Sequence, residues 1–542
     1  MKKTIKIMML VMAAAFTTAG MSARTIEIKM SQCSKPLVES VRSMVSQASI
    51  NDVVVLNFDK PGTYEFDGTI KIRSNTIIKG VDSNKTRVIV REGFAGGKSK
   101  MLDDTFFAIH GFSNKKVKVE IRDIRFELAS HKGTLWETAP KHIIKICYGD
   151  GITVDNATFW STDAVITHVD LRDCSNVLVQ NCTFENYNNC REGGELWSRG
   201  EQKNLVIKNN VFWKYGNDEA LAMWGGDHKR VVYMRDILVE NNEFHYENKT
   251  KFKKDIPIDV LIAFCHFETN NTKYDCKIDN IAFKNNRITM NANIYCNLRL
   301  IFDKLAKIGT FKISGNEFIN TSKCSKSSGY MTDINIQAGG QGDLPIVVKE
   351  NYVRSDCEVL SDGTNSGYTF ASVSEANVLF ESNIIDSRYP VALLWGHGGN
   401  IDVTFDGNTA STLYKTAILS DQTFIKKAKI NATNNELSGD TRIYCNNIGE
   451  IDLDFKNNTF NSNNYHFFLQ ESAPIGSVIF ENNTVNALTG NGVMFANYSG
   501  KKCSFSQVKI SNNTFNGISK QGVDRVFPNV KKMSSSGNIY IK

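Results

Sequence analysis

Five short segments between Val165 and Lys304 alternate apolar and polar residues, and the polar members are of types that do acid, base and ionic chemistry. In a strand, alternate side chains share a face. Placing Val165, Thr167, Val169 and Leu171 inward sends His168, Asp170 and Arg172 outward, and placing Leu196 and Ser198 inward exposes Glu195, Trp197, Arg199 and Glu201. Leu221 and Met223 inward leave Asp218, Ala220, Ala222 and Trp224 outside, with Glu219 at the turn. Leu261, Ala263, Cys265 and Phe267 inward leave His266 and Glu268, and Leu300 with Phe302 leave Arg299 and Asp303. Two His, three Arg, several acids and two Trp would then wall a groove with a small alanine floor.

Such a set offers three chemistries. Elimination beside a uronic acid needs its carboxylate neutralised, the C5 proton removed and O4 assisted in leaving. Arg172, Arg199 and Arg299 match a carboxylate bidentately, and His168 or His266 would be the base with the other as acid. Glycoside hydrolysis needs two carboxyl groups, about 5 to 5.5 Å apart for retention or about 6.5 to 9.5 Å for inversion. Asp170, Glu195, Asp218, Glu219 and Glu268 could supply them; Glu195, Asp218 and Glu219 could instead hold Ca²⁺ through oxygen. Without an acid/base set, the same Trp and polar residues would make a non-catalytic carbohydrate-binding surface. Trp197 and Trp224 offer flat faces for sugar rings, and the insert at 249–255, with Lys251, Lys253 and Lys254, would attract an anionic chain.

These segments need a scaffold that stacks them in register. A short phrase, an alternating strand followed by Asn, recurs at Asn156, Asn181, Asn210, Asn242, Asn286, Asn316, Asn351, Asn383, Asn408, Asn435, Asn458, Asn483, Asn513 and Asn538. The intervals run from 23 to 44 residues and average about 29, the range of solenoid repeats. Pieces such as Asn204–Lys208, Asp236–Glu240 and Ser477–Glu481 have period two, and about 29 residues accommodate three short strands with three turns. The expected fold is all-β, a right-handed parallel β-helix. A corner Asn tolerates left-handed backbone and can bond the next Asn along, so the ladder is structural rather than catalytic. Leu37, Val41, Met44 and Val45 within 35–49 have helical spacing and predict a helix that caps the solenoid's N-terminal end. No Pro/Gly-rich linker interrupts the chain, so residues 24–542 read as one domain.

The opening stretches Asp52–Asp59, Gly62–Phe66 and Thr76–Gly80, with the repeat, resemble the pectin-lyase-like superfamily of parallel β-helix proteins over roughly 50–542. Glu192-Gly-Gly-Glu195 followed by Arg199-Gly200 is similar to the Asn-Gly-x-Glu element of the alginate lyase and chondroitinase B family. It departs where Glu192 replaces the family's carboxylate-neutralising Asn, where no catalytic Lys follows Trp224, and where Cys265-His266 stands near an expected Arg-His pair. The resemblance therefore implies a polysaccharide lyase in broad terms, with Ca²⁺ at Glu195 or Glu219.

Charge and cysteines narrow the classes further. The 542 residues carry 64 Lys+Arg against 57 Asp+Glu, a net +7. Lys2, Lys3 and Lys6 precede the apolar run Ile7–Phe16 and then small residues, the pattern of a secretory signal over 1–23 whose removal leaves +4. That run is too short to span a membrane, and the first cysteine is Cys33, so neither stable membrane insertion nor a lipid anchor is expected. A weak positive balance without a reader motif excludes nucleic acid as a partner. The 12 cysteines lack paired CxxC spacing and read as core residues, with room for a disulfide or two. The resulting expectation is a secreted or periplasmic protein that meets an acidic polysaccharide, with glycosaminoglycan favoured and pectic or alginate-like chains open.

Overall fold

Short alternating segments cannot bury an apolar face alone, but they can when each coil lies on the next. In the computed structural model every ladder between named strands is parallel, so the chain winds instead of folding back in hairpins. The structure describes residues 23–90, 105–128, 142–162, 167–187, 194–214, 219–225, 230–246, 263–269, 274–290, 296–303, 305–321, 332–338, 344–355, 368–371, 377–387, 400–410, 415–419, 425–444, 448–463, 468–470, 475–489, 495–497, 504–524, 530 and 532–542. Strand pairing continues from Thr25–Lys29 to Ile539–Ile541. The expected parallel β-helix is present; the proposed signal segment lies outside the described residues except for Ala23.

Each central coil contributes three strand pieces. One stack runs His142–Cys147, the start of Thr167–Gln180, the start of Gly194–Lys208, Leu221–Gly225, Ala263–Thr269 and Cys296–Phe302. A second stack carries the core row Val177, Leu205, Ile237, Ile281, Phe311, Ile346, Val378 and Val403. In the third, Phe126, Phe159, Phe184, Phe212 and Phe244 stack ring on ring with centroids 4.7 to 5.3 Å apart, matching the strand spacing. Identical residues at a repeating position thus form a continuous apolar spine.

The Asn ladder starts later than its sequence phrase. Asn210 Nδ2 donates to Asn242 Oδ1 at 2.9 Å, and the same bond recurs through Asn286, Asn316 and onward to Asn538. Asn156 and Asn181 are exposed and bond instead to Asp123 and Asp155. Ladder residues are also not the left-handed ones: positive φ falls one position earlier, at Asn209 (56°), Asn241 (55°), Asn285 (53°) and Gly315 (65°). The preceding residue takes the strained corner, which frees the next Asn to point inward.

An interior rung should be costly to remove. Asn351 Nδ2 donates to Ile313 O and Asn383 Oδ1, while its Oδ1 accepts from Asn316 N and Nδ2. Asn351→Ala is expected to destabilise the protein by about 3 kcal/mol, since several buried groups lose partners. A thermal melt unchanged from wild type would contradict this.

The capping helix spans Leu37–Val45 and buries Leu37, Val38, Val41 and Val45, with Arg42 Nε bonded to Thr69 O at 2.9 Å. Cys33, Cys147, Cys174, Cys182 and Cys276 are free thiols, and Cys174, Cys182, Cys265 and Cys276 are buried as small core residues. Among the described residues, no helix is long and apolar enough to cross a membrane.

Candidate active site

The first stack builds two parallel rows of outward positions. The deeper row runs Lys145, Asp170, Trp197, Ala222, His266 and Arg299; the outer row runs Cys147, Arg172, Arg199, Trp224 and Glu268. Val169, Leu171, Leu196, Leu221 and Met223, between and beside them, belong to the core, as alternation predicted. After Arg172 the ladder shifts register and Asp173 (φ 53°) and Gly200 (φ 74°) turn the chain into the second stack.

At the basic end, Asp170 is fully buried and faces four basic groups. Its Oδ2 lies 3.2 Å from Arg172 Nε, 3.7 Å from Lys145 Nζ and 3.7 Å from His142 Nε2; Oδ1 lies 3.6 Å from Arg199 Nε. Burial pushes the Asp170 carboxyl up, but His142, Arg199, Arg172 and Lys145 outweigh it and hold it below the usual carboxylate range. His142 is pushed down to about 3 by burial and is neutral. Burial and then the Arg172 charge lower Lys145, which favours its neutral amine.

At the other end, His266 sits between two carboxylates, with Nδ1 3.1 Å from Glu219 Oε1 and Nε2 3.1 Å from Glu268 Oε2. Burial opposes its charge, but Glu219 and Glu268 prevail and raise its pKa, so the ring favours imidazolium. Trp197 and Trp224 stack between the ends at 5.2 Å. The Arg199 guanidinium lies 3.8 Å over Trp197 and 5.3 Å over Trp224. Trp197 is only 5% exposed, so it supports Arg199 and Trp224 rather than offering a sugar platform; Trp224 is partly exposed. Gly194 makes this possible, since a Cβ there would stand 2.3 Å from Trp197 Nε1 and 2.5 Å from Glu219 O.

Three expected outward residues point inward: Ala220 joins the core, level with Glu195 one coil before it, and His168 and Glu195 also turn inward. His168 is completely buried, its Nε2 2.8 Å from Ser161 Oγ and its ring parallel to Phe159 and Phe184; burial pushes it down to about 3. Its side chain points into the coil, away from the groove, so it cannot meet a substrate as base or acid. Glu195 is also fully buried, with Lys214 Nζ 3.4 Å from Oε1. His168 and Glu195 occupy equivalent places in successive coils, between the pairs Thr167↔Gly194 and Val169↔Leu196. There the chain is just entering the strand, and the corner turns both side chains into the coil.

The Ca²⁺ expectation does not fit these residues. Glu195 faces an ammonium inside the coil, Glu219 faces His266, and Asp218 lies outside the described residues. Among the described residues, no three His, Cys, Asp or Glu converge as metal ligands. Lys251, Lys253, Lys254 and Glu192 likewise lie outside the described residues. Glu201 pairs with Arg230 at 3.5 Å, and Asp303 Oδ1 accepts from Leu305 N at 2.9 Å, capping a local turn. Asp170, Arg172, Arg199, Trp197, Trp224, His266, Glu268 and Arg299 do share the two rows. His142 and Lys145 were missed; carrying the rows one coil towards the N-terminus, into His142–Cys147, would have found Lys145.

No protein-family profile matches this sequence, and no curated protein matches it. Among solved structures it is similar to the catalytic unit of a GH87 alpha-1,3-glucanase from Streptomyces thermodiastaticus strain HF3-3, at 13% identity over 92% of this chain and 69% of that one, TM-score 0.38. It is similar to a family 28 exopolygalacturonase of Yersinia enterocolitica, at 10% identity over 81% and 78%, TM-score 0.39. A tailspike protein mutant of E. coli bacteriophage HK620, solved with a pentasaccharide, gives 10% identity over 95% and 79%, TM-score 0.41. Likenesses this distant assign no reaction or substrate to the chain.

Proposed function

We propose that the two-row groove binds an acidic polysaccharide and cleaves it by β-elimination beside a uronic acid. The observation that carries this reading is the pair Arg172 and Arg199 beside one buried carboxylate, Asp170, which leaves positive charge in excess at the groove. Arg172 and Arg199, each with a quarter of its side chain exposed, receive the uronate carboxylate, which acidifies the C5 proton. The Lys145 amine takes that proton, electrons close the C4=C5 bond, and the C4–O4 bond breaks. The resulting ammonium returns the proton to O4, so one group on one sugar face serves both transfers. Asp170 holds the cations in position.

A paired-carboxylate hydrolase is less well served. Glu219 and Glu268 hold opposite nitrogens of one imidazole, so the ring occupies the space an attacking water would need. Asp170 is held ionised and enclosed, unsuited to donating a proton. His266 lies two coils beyond Arg199, about 9.6 Å along the axis, roughly the length of a disaccharide. With both nitrogens held by carboxylates, that ring carries no net positive charge to receive a second uronate, and it is the weak positive balance of the chain that favours glycosaminoglycan over a uniform polyuronate. Such polymers lie outside cells, in keeping with the expected export signal.

The protein should be incubated with hyaluronan, chondroitin, pectate and alginate, with and without EDTA, following ultraviolet absorbance of unsaturated uronate together with new reducing ends. Both signals are expected to rise, without loss in EDTA. Reducing ends without the absorbance would overturn elimination, and retention of polymer without either signal would leave a binding surface.

A further inference from the structure

The groove does not end at Lys145. Towards the capping helix its outer row continues from Cys147 to His110, its partner in register, and then to Arg73, which follows Ile72, the partner of Ile109. Arg73 is exposed and His110 half-buried. Burial, with the Arg73 charge adding to it, lowers the His110 pKa, so that ring is neutral. Beside this row, at the corner where the chain leaves the first stack, stand two aromatic rings. Tyr148 (φ 54°) takes the place that Asp173 holds one coil later, and its N–H donates to Arg172 O at 2.9 Å. Phe112 sits in a closed turn, its N–H donating to Lys115 O at 2.9 Å and its carbonyl accepting from Lys115 N at 3.0 Å. Both rings meet the His110 imidazole edge to face, Phe112 at 6.1 Å and Tyr148 at 5.8 Å. Gly111 allows the approach, since a Cβ there would stand 2.5 Å from Tyr148 O. Phe112 is thus fixed in place yet 43% exposed, next to the exposed cations Arg73 and Lys115.

We propose that Arg73, His110, Phe112 and Tyr148 extend the groove as a subsite for the sugars next to the uronate held at Arg172 and Arg199, and that Arg73 takes a second acidic group of the same chain. The aromatic rings supply apolar faces for the C–H surfaces of a sugar, and the neutral imidazole exchanges a hydrogen bond with a hydroxyl. The guanidinium matches a carboxylate or a sulfate. Four coils, about 19 Å, separate Arg73 from Arg199, so a disaccharide reaches only part of this row while a decasaccharide covers all of it. The subsite rests on the acidic-polysaccharide reading but not on elimination.

Isothermal titration with hyaluronan, chondroitin and galacturonate oligosaccharides, each as disaccharide and decasaccharide, tests it. Wild type is expected to bind at least one of the decasaccharides. Arg73→Ala with Phe112→Ala should weaken that decasaccharide about tenfold and its disaccharide, which Arg172 and Arg199 hold, less than about twofold. Phe112→Ala alone should weaken the decasaccharide about threefold, and Phe112→Tyr, which keeps a ring, should bind as wild type does. Thermal melts of all these variants should match wild type. A double variant that binds the decasaccharide normally, or that weakens both ligands equally, would overturn the subsite. Arg172→Ala with Arg199→Ala separates the two readings: loss of both ligands there, beside an unaffected Arg73 and Phe112 variant, leaves the groove and removes its extension. Wild type binding no acidic decasaccharide would overturn both.

Discussion

Lys145→Met is expected to lose about 10²- to 10⁴-fold of elimination rate while its affinity for polymer stays within about threefold. Met keeps the apolar stem and bulk of a fully buried side chain but cannot take a proton. Arg172, Arg199 and His142 still surround Asp170, so the cluster should keep its shape. Lys145→Arg should not rescue activity, because a guanidinium keeps its proton at working pH. Wild-type rate should rise with pH through the lowered Lys145 pKa, below the ordinary lysine range, as the amine loses its proton. A variant with more than about a tenth of wild-type rate would remove Lys145 from the chemistry, since a general base contributes at least ~10²-fold.

How far the sequence discloses this site depends on what each residue has to satisfy. Rows such as Val177, Leu205, Ile237 and Ile281 are dictated by burial and repeat with the coil, so alternation reads them directly. The same parity places Asp170, Arg172, Arg199, His266, Glu268 and Arg299 correctly, because they alternate with core residues in mid-strand. Parity fails at His168 and Glu195, where the strand begins and the corner tips side chains inward; their partners Ser161 and Lys214 come from another stack. Trp197 reads as a sugar platform until Arg199 is seen above it and Gly194 beside it, contacts that depend on three-dimensional packing. The ladder's first two positions misled for a subtler reason. Asn156 and Asn181 meet the left-handed requirement of the corner itself, whereas from Asn210 onward the recurring Asn stands one residue later.

The inward-facing Glu195 leads to the second large effect, on stability. Burial pushes its carboxyl up to about 7, with Lys214 pulling it down, while Tyr246 nearby is raised by burial and by Glu195. Since the folded pKa lies above the unfolded value of about 4.3, the stability linked to Glu195 is fully present below that value and is lost as pH rises through about 7. Lys214→Met removes the compensating ammonium and raises the folded pKa further. At pH ~5 Glu195 is protonated in the variant, which should match wild type or exceed it, because no ammonium is left buried. At pH ~8 the variant must either bury an unpaired carboxylate or hold a proton against the solvent, and should be about 3 to 5 kcal/mol less stable. Melts at both pH values read this directly, and an equal deficit at the two would show that the pair acts by packing alone. Glu195 shares its strand with Trp197 and Arg199, so the alkaline loosening should reach the groove and weaken polymer binding at pH ~8 more than at pH ~5.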